Sequence, residues 1–178
     1  MILGYLIVPA DNGAYMLRGP STPVRCEGCS FAVNHRWIDP HFELRRETFD
    51  ISTTYDGYVI ASARFCEMVS SKGAECIPLQ LAPQFSVLFA REVIAFDAVR
   101  RRTRFLDKCP LCGHYRAVAG ATPVYLVDDV PVPNRLVRSD VEFGSGDERH
   151  PLLLVGTELG DELASASLAG LALEPIST

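Results

Sequence analysis

Two Cys-x-x-Cys pairs constrain this chain more than any other feature of its sequence: Cys26-Glu27-Gly28-Cys29 and Cys109-Pro110-Leu111-Cys112-Gly113. Each pair can place two thiolates on one tight turn, and two facing turns supply the tetrahedral sulfur set that structural zinc prefers. In the second turn Pro110 stiffens the loop, and Gly113 permits a positive φ beside the sulfurs. We therefore predict one Zn²⁺ bound by Cys26, Cys29, Cys109 and Cys112.

The wide separation of the two pairs does not prevent a shared site. Compact zinc ribbons place roughly 15 to 20 residues between their pairs, whereas 79 residues separate Cys29 from Cys109. Because loop-closure free energy grows only as (3/2)RT ln n, a flexible insert of this length costs roughly 1.4 kcal/mol more. Structural zinc contributes about 10 to 16 kcal/mol, so the long insert is tolerable.

Two alternatives to a shared metal remain open from the sequence: two independent vicinal thiol pairs, or disulfides. A redox motif of the thioredoxin type places its first cysteine at a helix start after an apolar strand. Here Lys108 precedes Cys109 and Gly113 follows Cys112, a context typical of a metal knuckle. The first pair is followed by Ser30 instead of glycine, which makes it the weaker half. A closed site has no open coordination position, so we expect it to stabilise the fold and not to activate water.

Length and composition favour one soluble domain. The chain has 178 residues, of which 48% are hydrophobic and 22% charged, values ordinary for a globular protein. We predict a single domain over 1–178, with zinc knuckles around 22–34 and 105–117 and residues 38–104 inserted between them. The apolar opening ends at Pro9 and has no basic residue before it, so it predicts a strand and not a signal peptide. Together with Cys66 and Cys76, which remain outside the metal site, this favours the reducing cytoplasm.

Two segments repeat one plan of strand, capped helix, glycine stop and strand. In the first, residues 59–61 lead into Ser62 as N-cap, a helix over 63–72, Gly73, and then Pro78. In the second, residues 152–155 lead into Thr157 as N-cap, a helix over 158–168, Gly170, and then Pro175. The pattern predicts two equivalent helix–strand units, although a match of this length can also arise by coincidence.

Between these units the chain is rich in β-branched and aromatic residues, which favour strands over 85–89, 93–96 and 122–127. Residues 128–134 contain two prolines and predict a crossing loop, and 143–148 predict a flexible turn. Residues 10–50 are irregular and are expected to wrap the first knuckle against the sheet. The predicted fold class is α+β: a mixed β-sheet with two or three helices and a zinc-ribbon-like pair of Cys-x-x-Cys knuckles.

The sequence lacks the motifs of the common enzyme classes. It has no nucleophile elbow, phosphate-binding glycine loop, dinucleotide fingerprint or His-Glu-x-x-His helix. The four histidines share no ligand or acid–base spacing, although His114, two residues after Cys112, can support a thiolate from outside the ligand set. We therefore expect no catalytic residues and a protein that is not an enzyme.

Charge is unevenly distributed along the chain. Residues 1–127 carry 14 basic and 12 acidic residues, whereas 128–178 carry 3 and 10, which makes the last third strongly acidic. A basic run, Arg100-Arg101-Arg102-Thr103-Arg104, precedes the second cysteine pair and would suit phosphate contacts. A sequence pI near 5.3 opposes non-specific attraction to nucleic acid. Nucleic-acid binding by this run therefore stays an alternative.

The chain resembles the double-CXXCG motif family, whose members are described as immunity proteins paired with polymorphic toxins in bacterial kin competition. The resemblance rests on the two cysteine pairs at long separation and on the stretch 138–146 followed by Leu152–Val155, and it covers nearly the whole chain. Ser30 departs from the glycine that the family pattern has after the first pair, but no ligand is lost.

The resemblance implies a non-catalytic immunity protein that binds a cognate protein toxin in the cytoplasm and covers its working surface. An acidic surface would speed association with a basic toxin cleft. The candidate partner-binding residues are acidic residues of the last third near predicted loops: Asp128, Asp129, Asp140, Glu142, Asp147 and Glu148. A zinc-ribbon nucleic-acid-binding module and a general protein-interaction module are the alternatives. We expect no membrane association.

Overall fold

The computed structural model describes residues 1–19 and 21–178, which form one mixed sheet with helices packed on it. The strands are β1 (Ile2–Asp11), β2 (Ile51–Thr53), β3 (Val59–Ser62), β4 (Ala74–Pro78), β5 (Phe85–Ala90), β6 (Glu92–Ile94), β7 (Arg104–Lys108), β8 (Tyr115–Ala119), β9 (Leu136–Ser145), β10 (His150–Val155) and β11 (Leu171–Ser177). The helices are α1 (Ala63–Val69), α2 (Ala98–Arg101) and α3 (Thr157–Ser165), and two short 3₁₀ helices cover Val127–Asp129 and Gly146–Glu148. None of the helices in these ranges is long and apolar enough to cross a membrane.

The sheet has the order β4-β5-β3-β2-β1-β10-β9-β8-β7, with β11 beside β1 and β6 beside β9. The β1–β2 and β6–β9 pairs are parallel and the other pairs are antiparallel. The α+β class with a mixed sheet, three helices and a cluster of four cysteines confirms the fold predicted from the sequence.

The two repeated segments form the same supersecondary unit. β3 and β4 both pair antiparallel with β5 and are joined by α1, so they run parallel with one strand between them. β10 and β11 both pair antiparallel with β1 and are joined by α3, which gives the same split βαβ arrangement. The predicted equivalence of the two units is therefore present in the sheet topology.

The two long helices begin differently. The Ser62 hydroxyl accepts a hydrogen bond from the Phe65 backbone N–H and caps α1, as predicted. The prediction that Thr157 caps α3 is wrong, because the N-cap is Gly156, which has no side chain. The Asn134 side chain instead accepts a hydrogen bond from Leu159 N at 2.6 Å. The open helix end is thus satisfied by a residue distant in sequence.

The strand predicted over 122–127 is also wrong. Pro123 lacks the N–H that a ladder needs, and the segment contributes only an isolated bridge between Leu126 and Phe96. Val124 and Leu126 are nevertheless 6% and 1% exposed. Their apolar pattern therefore arises from burial and not from strand pairing. Residues 143–145, predicted as part of a flexible turn, continue β9 instead.

Alternating side chains of the strands feed cores on opposite faces of the sheet. Leu153 and Val155 of β10 pack with both long helices, whereas Leu154 packs in a second core on the other face. Beside that second core, a third core joins the irregular segment 12–50 to β3 and β5 through residues such as Met16 and Val87. This segment carries the first cysteine pair, so its packing positions half of the four-cysteine cluster.

Candidate metal centre

Two loops from distant parts of the chain carry the cysteine pairs. The first loop lies in segment 12–50 and is closed by an isolated antiparallel bridge between Arg25 and Ala32. The second is the turn between β7 and β8, where Lys108 pairs with Tyr115. The sheet therefore holds the second loop directly, while the first depends on the packing of its segment.

Both loops have the same backbone hydrogen bonds around the first cysteine of each pair. Cys26 N–H donates to Phe31 O at 2.8 Å, and Cys109 N–H donates to His114 O at 2.8 Å. In each case the partner is five residues further along the chain. The two turns are thus equivalent knuckles, as the spacing of the pairs predicts.

The residue after each pair closes the knuckle in the left-handed region. Ser30 has a φ of 62° and Gly113 a φ of 75°. Ser30 N–H donates to Cys26 O at 2.7 Å, as Gly113 N–H does to Cys109 O at 2.9 Å. Serine therefore keeps the turn geometry that glycine supplies in the second knuckle, at the steric cost of a side chain with positive φ.

The four cysteine sulfurs converge, although the pairs are far apart in sequence. The Sγ atoms of Cys26 and Cys109 are 3.9 Å apart, those of Cys29 and Cys112 are 3.5 Å apart, and all four lie within 4.8 Å of one another. A tetrahedral centre with metal–sulfur bonds of about 2.3 Å has sulfur–sulfur edges of about 3.8 Å. All four thiols are free, and these distances exceed a disulfide bond of about 2.05 Å. The donor set therefore fits one metal ion.

The first knuckle packs directly on the second. Cys109 is 5% exposed and the other three cysteines are partly buried. The Cα of Gly28 is so close that an added Cβ would lie 3.3 Å from Cys109 Sγ and 2.9 Å from a methyl group of Leu111. A side chain at this position would separate the two loops, so glycine permits their contact.

Backbone groups already stabilise a thiolate at this site. Hydrogen bonds from the backbone at Cys112 and Leu111 lower the pKa of Cys109 to about 6. A backbone hydrogen bond at Phe31 also acts to lower the pKa of Cys29, but desolvation and the neighbouring thiols outweigh it and raise that pKa to about 12. Four thiols this close cannot all ionise without a cation, and metal binding would therefore release protons.

Two histidines lie against the site without joining the ligand set. The rings of His35 and His114 meet edge to face with their centroids 5.3 Å apart. Burial and the nearby Arg149 guanidinium lower the pKa of His114. Its position after Cys112 had suggested that His114 supports a thiolate. Within residues 1–19 and 21–178, however, His114 makes no hydrogen bond to a cysteine sulfur.

An ion pair that sequence reasoning missed holds the first knuckle to the sheet. The carboxylate of Asp147 accepts hydrogen bonds from the Arg25 guanidinium and, at 3.0 Å, from the Ala32 backbone N–H. Arg25 and Asp147 are 122 positions apart, so no local pattern connects them. Asp147 was predicted as a partner-binding residue, and the structure places it in this internal contact.

The other predicted partner-binding residues lie in several elements. Asp129 pairs with Arg100, Asp140 accepts from the Phe96 backbone N–H, and Glu142 faces His35 at 4.0 Å. Asp128 and Glu148 are exposed, each in a 3₁₀ helix. Among the six, Asp128 and Glu148 are therefore the most available to a partner.

The basic run ahead of the second knuckle contributes mainly to local structure. Arg100 pairs with Asp129 at 2.6 Å and its guanidinium lies over the Tyr125 ring, 4.3 Å from the centroid. Arg101 donates to Thr122 O at 2.6 Å, and Arg102 ends α2 with a φ of 57°. The contacts of Arg100 and Arg101 occupy side-chain donors that nucleic acid would need.

The two remaining cysteines have a packing role. Cys66 of α1 and Cys76 of β4 lie against the core shared by the two long helices, and the neighbouring Cys76 thiol and burial raise the pKa of Cys66. They are separate from the four-cysteine cluster.

Comparison with known proteins adds no relative to this description. Neither a family model nor a curated protein matches the chain.

Proposed function

We propose that the four cysteines bind one structural Zn²⁺ and that the protein is a non-catalytic immunity protein, which neutralises a cognate polymorphic toxin by binding it. The observation that carries the proposal is the convergence of two equivalent knuckles into one compact set of four sulfurs. The resemblance to the double-CXXCG family is the reason for proposing a polymorphic toxin as the partner.

Zinc fits this donor set better than other common ions. Thiolate ligands select Zn²⁺, Cu⁺ or iron–sulfur clusters over oxygen-preferring cations. Sulfurs within 4.8 Å of one another surround a single ion, whereas a cluster needs room for several irons and sulfides. Four thiolates complete a tetrahedron, so the metal has no position for water or substrate and its contribution is to the fold.

The metal proposal is tested by metal analysis of protein purified without chelator. We expect one zinc per chain, lost in Cys109→Ser, because three thiolates and a hydroxyl bind zinc more weakly. Cys76→Ala is the matched control and should keep its zinc, since Cys76 lies outside the cluster. Zinc-free protein with four reactive thiols in these knuckles would overturn the proposal, as would an iron–sulfur absorption spectrum.

A role in binding another protein agrees with the closed site. No open coordination position is left for Lewis-acid chemistry, and the last third of the chain is acidic. Exposed Asp128 and Glu148 can draw a basic toxin cleft by long-range attraction, which raises association rates and weakens with salt. The immunity role rests on the family resemblance and on this charge.

Co-expression with a toxin encoded beside this gene tests the immunity role. We expect the chain to restore growth, to co-purify with the toxin, and to associate several-fold more slowly at high salt. In Asp128→Asn and in Glu148→Gln, each made singly, the association rate should fall, whereas Glu174→Gln on β11 serves as a charge-matched control. Failure to protect against any neighbouring toxin would refute the role. Salt-dependent binding to nucleic acid that needs Arg104 would favour the nucleic-acid module instead.

A further inference from the structure

A cavity of about 180 Å³ is lined by residues of the sheet and of segment 12–50, beside the first knuckle. For comparison, a cavity of about 150 Å³ accepts a benzene molecule. Strands β3, β5 and β10 and segment 12–50 contribute apolar side chains to its wall, including Leu17, Val59, Leu88 and Leu153. The space and its lining therefore suit a small molecule with an apolar body.

Three residues of the cavity wall carry buried polar atoms that lack hydrogen-bond partners among the described residues. These atoms are Nε2 of His35, the hydroxyl of Tyr58 and Nη2 of Arg149. In residues 1–19 and 21–178 only two further side-chain atoms share this property, in Asn12 and Asp39, and neither residue lines the cavity. Because buried polar groups are normally paired, their concentration around one cavity indicates a missing partner there.

Arg149 is the most unusual of the three. Arg149 is 5% exposed, and its Nε donates only to Gly146 O at 3.3 Å. Its guanidinium lies over the Phe31 ring, 4.7 Å from the centroid. No described carboxylate forms an ion pair with it. Arginine is seldom buried without an anionic partner, so a counter-ion from outside the chain would complete this environment.

Two of the three carboxylates in the cavity wall are already engaged. Asp56 accepts hydrogen bonds from the backbone N–H groups of Met16 at 2.9 Å and Leu17 at 2.6 Å. Asp147 is held by Arg25 and by the first knuckle. Asp147 is therefore paired with a cation, whereas Asp56 has hydrogen bonds from neutral groups and no ion-pair partner among the described residues.

The cavity wall carries three guanidinium groups and three carboxylates, but not all of these charges are paired. Glu142 is the third carboxylate and lies 4.0 Å from His35. Arg36 pairs with Glu75 outside the cavity, whereas Arg138 and Arg149 have no ion-pair partner among the described residues. Arg149 is the more buried of these two guanidinium groups and has no described carboxylate within ion-pair distance, so it is the place in the wall where an anion would bind.

We propose that this cavity binds a small organic carboxylate with an apolar body. The Arg149 guanidinium acts as its counter-ion, and Tyr58 and His35 complete the hydrogen bonds of the carboxylate. Burial raises the pKa of Tyr58, so its hydroxyl stays protonated and can donate. The apolar wall formed by Leu17, Leu88 and others favours a carboxylate on a hydrocarbon body over inorganic phosphate, which would leave that wall unfilled.

The test is a titration of the zinc-loaded, ¹⁵N-labelled full chain with sodium benzoate, followed by two-dimensional NMR. We expect saturable shifts confined to amides around the cavity, with half-saturation below roughly 20 mM. Benzyl alcohol has the same ring without the charge and should bind roughly tenfold more weakly, because a charge-assisted hydrogen bond is lost. Inorganic phosphate should bind more weakly than benzoate.

Two variants test which residues of the cavity wall bind benzoate. Tyr58→Phe should weaken benzoate binding about three- to tenfold, since one hydrogen bond is lost. It should not lower Tm, because the hydroxyl has no protein partner to lose. Tyr5→Phe, remote from the cavity, is the matched control. Arg149→Gln should abolish the preference for benzoate over benzyl alcohol, and if that variant does not fold, Tyr58→Phe still decides.

Several outcomes would overturn the proposal. Equal binding of benzoate and benzyl alcohol would remove the charge from recognition, and tighter binding of phosphate would remove the apolar body. The absence of saturable shifts with all three probes would mean that water alone fills the cavity. Unchanged benzoate affinity in Tyr58→Phe, with Arg149→Gln also unchanged, would place any binding elsewhere.

Discussion

Removal of the metal is expected to release the first knuckle locally while the sheet stays folded. The second knuckle turns between β7 and β8, and β8 pairs with β9, so the sheet retains it. The first knuckle belongs to segment 12–50, which is anchored at β1 and β2 and is otherwise held by side-chain packing and by hydrogen bonds to Asp56 and Asp147. A metal bound by the four cysteines would therefore be the main link between that segment and the β7–β8 turn.

The size of the effect follows from the loop that the metal closes. From the end of β1 at Asp11 to Cys26 the loop has about 15 residues, and closing such a loop is worth about 3 kcal/mol. That free energy corresponds to a change of roughly 100-fold in an opening equilibrium. Because the Asp147 contacts and the third core also hold the segment, metal loss should open the knuckle more than it opens the whole segment.

Hydrogen exchange with and without EDTA measures this prediction. The amides of Cys26, Ser30 and Val33, which are hydrogen-bonded within the first knuckle, should exchange roughly 100-fold faster without metal. Amides in the β1–β10 pair, such as those of Leu6 and Leu154, should keep their protection.

Cys109→Ser should reproduce the effect of EDTA, and Cys76→Ala should behave like the unmodified protein. Unchanged exchange in the first knuckle after complete metal removal would refute the reasoning. So would simultaneous loss of protection in β1 and β10, because the metal would then support the whole fold and not one segment.

Three further predictions concern other parts of the chain. Ser30→Gly should raise stability by about 0.5 to 1 kcal/mol because a left-handed backbone costs glycine least, and Gly113→Ser should lower it by a similar amount, as measured by urea unfolding of the metal-bound protein. Leu163→Ala should cost about 2 to 5 kcal/mol in the same assay, since its side chain is fully buried between α3 and the sheet; a loss below 1 kcal/mol would contradict this packing. The hydrogen bond and charge of Arg36 lower the pKa of Glu75. The contribution of this ion pair to the stability of the fold is therefore present above the ordinary glutamate pKa and is lost as the pH falls through the lowered value. In Arg36→Gln, an NMR titration should show the pKa of Glu75 moving up toward its usual range, and an unchanged value would contradict the pairing.

Sequence patterns predicted the elements whose causes are local. Ser62 caps α1 by accepting from the backbone N–H of Phe65, three residues later, and the two cysteine turns carry their own spacing and turn residues. The convergence of the two cysteine pairs was also predictable, because the common use of four thiolates at knuckle spacing is to bind one metal ion. These features depend on short stretches of chain, where steric and hydrogen-bonding preferences dominate.

The errors occurred where a distant residue decides the local structure. α3 takes its capping group from Asn134, which the chain brings to Gly156 only after folding. Val124 and Leu126 are buried like strand residues, but Pro123 and the neighbouring packing leave them outside the ladder. Burial and pairing produce the same apolar pattern, so the sequence alone did not separate them.

The cavity was beyond sequence reasoning for the same reason. His35, Tyr58 and Arg149 lie on three separate segments, and none belongs to a recognisable motif. Their common property is the lack of a hydrogen-bond partner after burial, which exists only in the folded chain. The same holds for the ion pair between Arg25 and Asp147.

The position of β1 in the sheet has a consequence for folding during synthesis. β1 is the central strand of one split βαβ unit, yet its partners β10 and β11 begin at His150 and Leu171. At about 5 to 20 residues per second, a ribosome needs roughly 10 to 30 s to supply them after β1 has emerged. The unit around β5 has all its strands within residues 59–90 and can assemble during that interval. Apart from Ala10 and Asp11, which β2 can pair, the apolar first strand must meanwhile wait without its partners, which makes nascent chains the stage at which a chaperone has most to protect.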